Sequence, residues 1–351
     1  MDSEGGCVVK QYEIKIPIPL LNEKGNLTQP GWARKLYPIY DRSKVKGGLM
    51  RLKEWDYYLV TNGRIGLALT IADNRYMGVD SIAFFDFEEG WQVTKSPMTI
   101  LPAGRTALPL TSKEGISSSS GKGYALLFVS EAGKRTLIAH VENFKDGKTL
   151  DAKIVLGEEP EESIVTCIPF EESGHFYFNQ KINCLRADGS VSLGDKVYRF
   201  YPADSFGVLD WGRGVWPYHN TRYWSSASGV IEGVPFGFNL GYGFGDTRAA
   251  TENVIFYNGR AHKLDYAIFH IPLEKGKPDF LAPWSIESDD KRLNLNFIPI
   301  MDCAACTDAK VLKSDRHQVF GRFSGKVVLD AGTELEVKDF FGFAEKVETK
   351  W

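Results

Sequence analysis

The sequence predicts an all-β chain of antiparallel hairpins arranged in two domains, and three observations lead there. Turn dipeptides repeatedly separate segments that alternate apolar and polar residues with the period of a strand. No segment keeps apolar residues at i, i+3, i+4 and i+7 over three clean helical turns. At 351 residues the chain exceeds an ordinary single core, so two units of ~150–200 residues are expected.

Taken in order, EWDYYLVTNGRIGLALTIAD reads as two strands joined by a two-residue turn at Asn62-Gly63. Ile116 to Gly123, ISSSSGKG, reads as a low-complexity loop. It fails as a phosphate loop on spacing and on Gly123, which follows Lys122. Residues 123–157 read as a meander. GEEPEES, Gly157 to Ser163, carries four glutamates around Pro160 and is the expected boundary, dividing the chain into an N-terminal β domain, 1–160, and a C-terminal β domain, 161–351. Asn258-Gly259 marks another hairpin. The segment from His317 to Val347 reads as three strands, turning near Gly325 and at Asp330 to Gly332.

The segment FGFNLGYGFGD alternates strictly. Phe236, Phe238, Leu240, Tyr242 and Phe244 share one face, while Gly237, Asn239, Gly241, Gly243 and Gly245 share the other. Glycine weakens a strand, so four on one face imply a close neighbour: a ligand, another chain segment or a bent barrel wall. Gly241, Gly243 and Gly245 do not form a dinucleotide fingerprint, because the third is misplaced and no helix follows.

Composition excludes several partners. Lys plus Arg number 42 against 45 Asp plus Glu, leaving no basic excess for nucleic acid or an anionic membrane. Around Asp2 and Glu4 there is no apolar core of the sort a signal peptide needs. The longest apolar runs, Gly66 to Ala72 and Tyr124 to Val129, are far short of the ~20 residues that span a bilayer. A cytoplasmic location is expected. Cys7, Cys167, Cys184, Cys303 and Cys306 are odd in number and scattered, which fits free thiols in a reducing compartment. The single CxxC at Cys303 and Cys306 has no second pair at zinc spacing and no thioredoxin-like surroundings, so neither metal nor cofactor is expected.

Candidate chemistry concentrates in the C-terminal half. In VLDWGRGVWPY, Asp210 and Arg213 lie three apart, and a bulge at Gly212 or Gly214 would bring them together beside Trp211, Trp216 and Trp224. Such a pair is either a structural salt bridge among core tryptophans or an acid/base carboxyl tuned by its arginine. Asp246, Arg248, Glu252 and Asn253 cluster at the end of the glycine strand, as polar groups at the mouth of an apolar site do. The plainer alternative is a loop that caps its own amides with Asp246 and Thr247. His317 is the histidine best placed for proton transfer, against a structural role with satisfied hydrogen bonds.

Several ordered blocks, among them KEWDYYLV, NQKINCL, VLDWGRGVWPY, GFNLGYGFGD, ATENVIFYNGRAHKL and HQVFGRFSG, resemble the domain-of-unknown-function 2804 family from about Tyr12 to Trp351. By remote similarity this family looks like the lipocalin-like (calycin) group that includes carotenoid 1,2-hydratases and related β-barrel cyclases. The resemblance implies two lipocalin-like antiparallel β-barrel or β-sandwich domains, with an apolar substrate held in a barrel or between domains. It transfers no catalytic residue.

The expected function is therefore to bind a hydrophobic or amphipathic small molecule, with cofactor-free hydration, isomerisation or cyclisation as candidate chemistry. Asp210 would move the proton and Arg213 would tune it. Trp211, Trp216, Trp224, Asn239 and Tyr242 would line the pocket, and Asp246, Glu252 or His317 would supply a second acid or base. A non-catalytic carrier or sensor, and a carbohydrate-active or glycan-binding protein, are the alternatives.

Overall fold

A computed structural model of the chain describes residues 11–46, 48–309 and 312–350. Asp2, Glu4 and Cys7 lie outside the described residues. The strands form two large antiparallel sheets, and no α-helix occurs among the described residues. No helix there is long and apolar enough to cross a membrane.

The first sheet has 14 strands and runs from Trp91–Lys95 through Met77–Asp86, Ile65–Asp73, Lys53–Thr61, Phe206–Val215 and Phe176–Leu193. It continues through Lys148–Gly157, Lys134–Lys145 and Tyr124–Glu131 to Gly115–Gly121. Asn62-Gly63 makes the expected turn between Lys53–Thr61 and Ile65–Asp73. The serine run is a strand rather than a loop, because every second serine finds an acid across the curled sheet. Ser117 Oγ donates to Asp56, and Ser119 Oγ donates to Asp80 at 2.6 Å. These bonds draw the last strand back towards the first ones and enclose an apolar interior that includes Leu69, Phe84, Phe128, Ile154, Phe178 and Trp211.

The second sheet has nine strands, in the order Arg260–Lys263, Val254–Tyr257, Val234–Tyr242, His219–Ile231, Glu334–Lys350, Leu312–Val328, Leu293–Ala309, Trp284–Ser288 and Ala267–His270. Asn258-Gly259 forms its hairpin, with both residues at positive φ. Gly325 does not turn the chain. It sits inside the single long strand Leu312–Val328, at a register shift against Glu334–Lys350, so the expected three-stranded meander is two long strands turning at Asp330 to Gly332.

The change of sheet falls at Trp216 to Tyr218, not at the glutamate run. Lys148–Gly157 and Ile164–Pro169 both pair with the 18-residue strand Phe176–Leu193, so residues 158–163 only connect neighbours within the first sheet. Glu158 and Glu161 are solvent-exposed as expected, but Glu162 is buried and ties the segment down. The Glu162 carboxylate accepts from Ala261 N at 2.8 Å and from Arg260 and Arg34, clamping the first sheet to the second. Four glutamates suggest solvation from composition alone, but each arginine here lies far away in sequence.

Alternation along Phe206–Val215 sets the layers. Leu209, Trp211 and Val215 face the interior of the first sheet, whereas Val208 and the following Trp216 join clusters shared with the second sheet. The outer face of the first sheet is therefore buried against the second.

Candidate active site at the seam between the sheets

The register of Phe206–Val215 against Lys53–Thr61 runs unbroken from Phe206↔Thr61 to Gly214↔Lys53. With no bulge, residues three apart face opposite ways, so Asp210 and Arg213 do not meet. Arg213 points into the first sheet's interior. It donates to Asp56 at 3.0 Å and to the carbonyls of Trp55 and Pro109, and it lies over the Trp211 ring at 4.2 Å. Neither Arg213 nor Trp211 lines the seam.

Asp210 faces the second sheet, fully buried, directly across from Lys181 in the register. Lys181 Nζ lies 3.1 Å from Asp210 Oδ1 and 3.2 Å from Glu252 Oε2, and 4.3 Å from the Trp224 ring centre. Asn179 donates a 2.6 Å hydrogen bond to Asp210 Oδ1. A buried ammonium thus bridges two carboxylates, one from the first sheet and one from the segment joining two strands of the second, with an aromatic face beside it. Asn239 supports the wall: its side chain accepts from Trp224 Nε1 at 2.7 Å and donates to the Glu252 carbonyl at 2.9 Å.

The glycine face lies against the first sheet, and the protein's own side chains fill the space over it. A Cβ on Gly237 would lie 2.8 Å from Cys184 Sγ, and one on Gly241 would lie 2.0 Å from Glu252 Oε1. The aromatic face holds as expected through Phe236, Phe238 and Leu240, which pack in the second sheet's core. The strand ends at Tyr242, and Phe244 turns to the other side, where it packs with Tyr177 and Trp216.

Three further groups complete the seam. Glu345, 2% exposed, sits 3.7 Å from the Arg222 guanidinium, and its Oε1 has no hydrogen bond. Burial pushes its carboxyl above the ordinary glutamate range, against the opposing pull of Arg222 and Arg316. Burial, and then the charges of Asp210 and Glu252, hold the Tyr177 phenol well above its usual value, so it stays protonated. Tyr177, Arg222, Tyr242, Phe244 and Glu252 line one pocket of about 10 Å³, room for about one water.

The remaining expected site residues lie apart. Asp246 spends its carboxylate on Arg248 at 2.9 Å, and this arginine bond holds its carboxyl below the usual range. His317 stacks on Phe280 at 3.9 Å and pairs with Asp302 at 2.7 Å. Its neighbour Gln318 reaches Tyr57 in the seam, so alternation turns His317 to the opposite face. Cys303 is buried and Cys306 exposed, so the CxxC does not converge. Among the described residues no group of three or more His, Cys, Asp and Glu could hold a metal ion. Lys181, Arg222, Glu345 and Tyr177 were not foreseen. The available signal was Tyr177, Asn179 and Lys181 at every second position of a strand rich in Phe and Ile.

Residues 11–351 match the family model described as a domain of unknown function, DUF2804. The chain belongs to this family. No curated protein sequence matches this DUF2804 chain. Among solved structures, it is similar to a protein provisionally assigned as AttH from Nitrosomonas europaea. That likeness has a TM-score of 0.50 at 11% identity and covers 86% of this chain and 92% of that one. It is also similar to kievitone hydratase from Nectria haematococca, with a TM-score of 0.44 at 11% identity, covering 95% of this chain and 98% of that one. The DUF2804 chain has a lipocalin-like all-β fold.

Proposed function

We propose that this protein binds a hydrophobic or amphipathic small molecule at the seam between its sheets and moves a proton on it without a cofactor, as in hydration, isomerisation or cyclisation. The observation that carries this reading is one pocket with aromatic walls lined by Tyr177, Arg222 and Glu252, of which Glu252 is ion-paired to Lys181 and through it to Asp210, and Arg222 lies beside Glu345. Such a cluster of buried ionisable groups is a common mark of acid/base chemistry. Glu252 is the group that both lines the pocket and joins the buried ion pairs, so it is the proton-moving carboxylate in this reading. Tyr177 offers a neutral phenol as hydrogen-bond donor, and Lys181 with Asp210 fixes Glu252 in place.

The geometry favours this over sugar hydrolysis. Lys181 fills the space between the two carboxylates where a glycosidic oxygen would have to sit.

The test is extraction of natively purified protein and mass analysis of any copurifying molecule, followed by turnover assays on what is found. Wild type should release a ligand that Arg222→Ala does not, and Glu252→Gln should lower turnover by about 10²–10⁴-fold. A ligand retained by Arg222→Ala would remove the seam from the reading, and equal rates in Glu252→Gln would remove the proton transfer assigned to it.

A further inference from the structure

We propose that residues 243–250 form a strap over a ring-binding socket at this seam, and that Phe244 fills the socket when no ligand is bound. This rests on the seam being the site. The ligand class that follows is a molecule presenting one planar aromatic ring with a hydroxyl beside it.

Phe244 belongs to a segment without strand pairing, between Val234–Tyr242 and Val254–Tyr257, yet its side chain is buried. Its ring meets three others edge-on: Tyr177 at 4.9 Å, Trp216 at 5.3 Å and Phe170 at 5.3 Å, with interplanar angles of 88°, 74° and 89°. Those three rings precede the second sheet in the chain, whereas Phe244 comes from within it. One unit thus plugs a ring into an aromatic socket built by the other. Edge-to-face contacts of this kind select an aromatic ring over an aliphatic one of equal size. Arg222 and Glu252 line the same pocket and would receive the hydroxyl.

The strap is lightly held at its centre. Asp246 N donates to Pro169 O at 2.8 Å, but the Asp246 carboxylate folds back on Arg248 of the strap itself, whose side chain is 79% exposed. Gly243 and Gly245 have φ of +89° and +74°, and they flank Phe244 as two natural hinges. Gly245 also seats the strap closely: a Cβ there would lie 2.6 Å from Ile168 Cγ2 and 3.0 Å from Pro169 O. An entering ring takes the place of Phe244, and the strap swings outward.

Benzyl alcohol is the probe, read by tryptophan emission and by hydrogen exchange in peptides covering 243–250. Wild type should bind it saturably, with faster exchange in the strap and none in Phe206–Val215. Phe244→Ala, lacking the occupant, and Gly245→Ala, whose strap cannot seat, should each bind about tenfold more tightly. Thermal melting confirms that each variant is folded, and Phe244→Ala decides alone if Gly245→Ala is not.

Binding by Phe244→Ala with none by wild type would make the socket ordinary core. Binding by wild type with unchanged strap exchange would overturn the gate, and equal binding of cyclohexylmethanol would overturn the aromatic class. If the strap opens but Glu252→Gln leaves turnover unchanged, the proposed chemistry falls while the socket stands. If Glu252→Gln slows turnover and the strap never opens, the reverse holds.

Discussion

The Glu252 carboxylate occupies the place that a side chain on Gly241 would fill, 2.0 Å from where that Cβ would be. The bare face of the glycine strand is, at this position, the imprint of an acid. Glu252 arrives from beyond the strap, meets Lys181 at 3.2 Å, and is coupled through it to Asp210 on the other sheet. A missing side chain on one strand thus allows a charged contact between two sheets.

Gly241→Ala should therefore act through Glu252. The added methyl has no room, and overpacking of this kind costs about 1–3 kcal/mol. In Gly241→Ala/Glu252→Ala the clash is gone, so the two losses should not add. A coupling of about 1 kcal/mol or more is expected in denaturant melts of the four-member cycle. Strict additivity would mean that the glycine is required by the backbone instead.

This relationship also marks what was legible in the sequence. The period-2 patterning and the Asn-Gly turns define the antiparallel all-β fold, because those signals are local. The oddity of Gly237 and Gly241 was equally visible, and so were Asp210 and Glu252 as candidates. Their junction was not, since Lys181 joins them from a third strand and only the register Lys181↔Asp210 places it. Arg213 misled because a bulge was expected where the register runs unbroken. The glutamate run misled because a solvated loop and the clamp made by Glu162 have the same composition until Arg34 and Arg260 are placed in space.

Lys181→Met should be among the most damaging single changes at the seam. It leaves the buried Asp210 and the part-buried Glu252 without their cation, and breaking a buried pair from one side costs about 3–5 kcal/mol. Combining it with Asp210→Asn and Glu252→Gln should recover much of that loss, since the remaining groups are then uncharged. A Lys181→Met variant that loses less than about 1 kcal/mol in chemical denaturation would mean that water already solvates the carboxylates.

His317→Ala should leave any turnover unchanged. Its ring is spent on Asp302 and Phe280, on the face of the sheet away from Gln318 and Tyr57. The side chain is about one quarter exposed, so its loss should cost only about 1 kcal/mol, read as a small shift in the melting curve. A loss of turnover with an unchanged melt would return this histidine to the site.

Glu345 sets a pH dependence with a definite sign. Burial raises its carboxyl pKa in the folded protein above the ordinary value of 4.5, so the folded state holds its proton more tightly than the unfolded chain does. The stability this provides is complete below that ordinary value. It is lost as pH rises from there through the elevated folded value, because the folded state must then either ionise a buried carboxyl or keep a proton that the unfolded chain has released. Glu345→Gln carries no titrating group at this position and lacks this loss. Wild type should therefore fall in stability relative to Glu345→Gln across the mildly acidic range, with the gap widening as pH rises, in denaturant melts taken at a series of pH values. Arg222 opposes the shift from 3.7 Å away, so Arg222→Met should widen the fall of the Glu345 protein relative to its Glu345→Gln counterpart. A wild-type profile parallel to Glu345→Gln would mean that Arg222 and Arg316 hold the carboxylate ionised throughout.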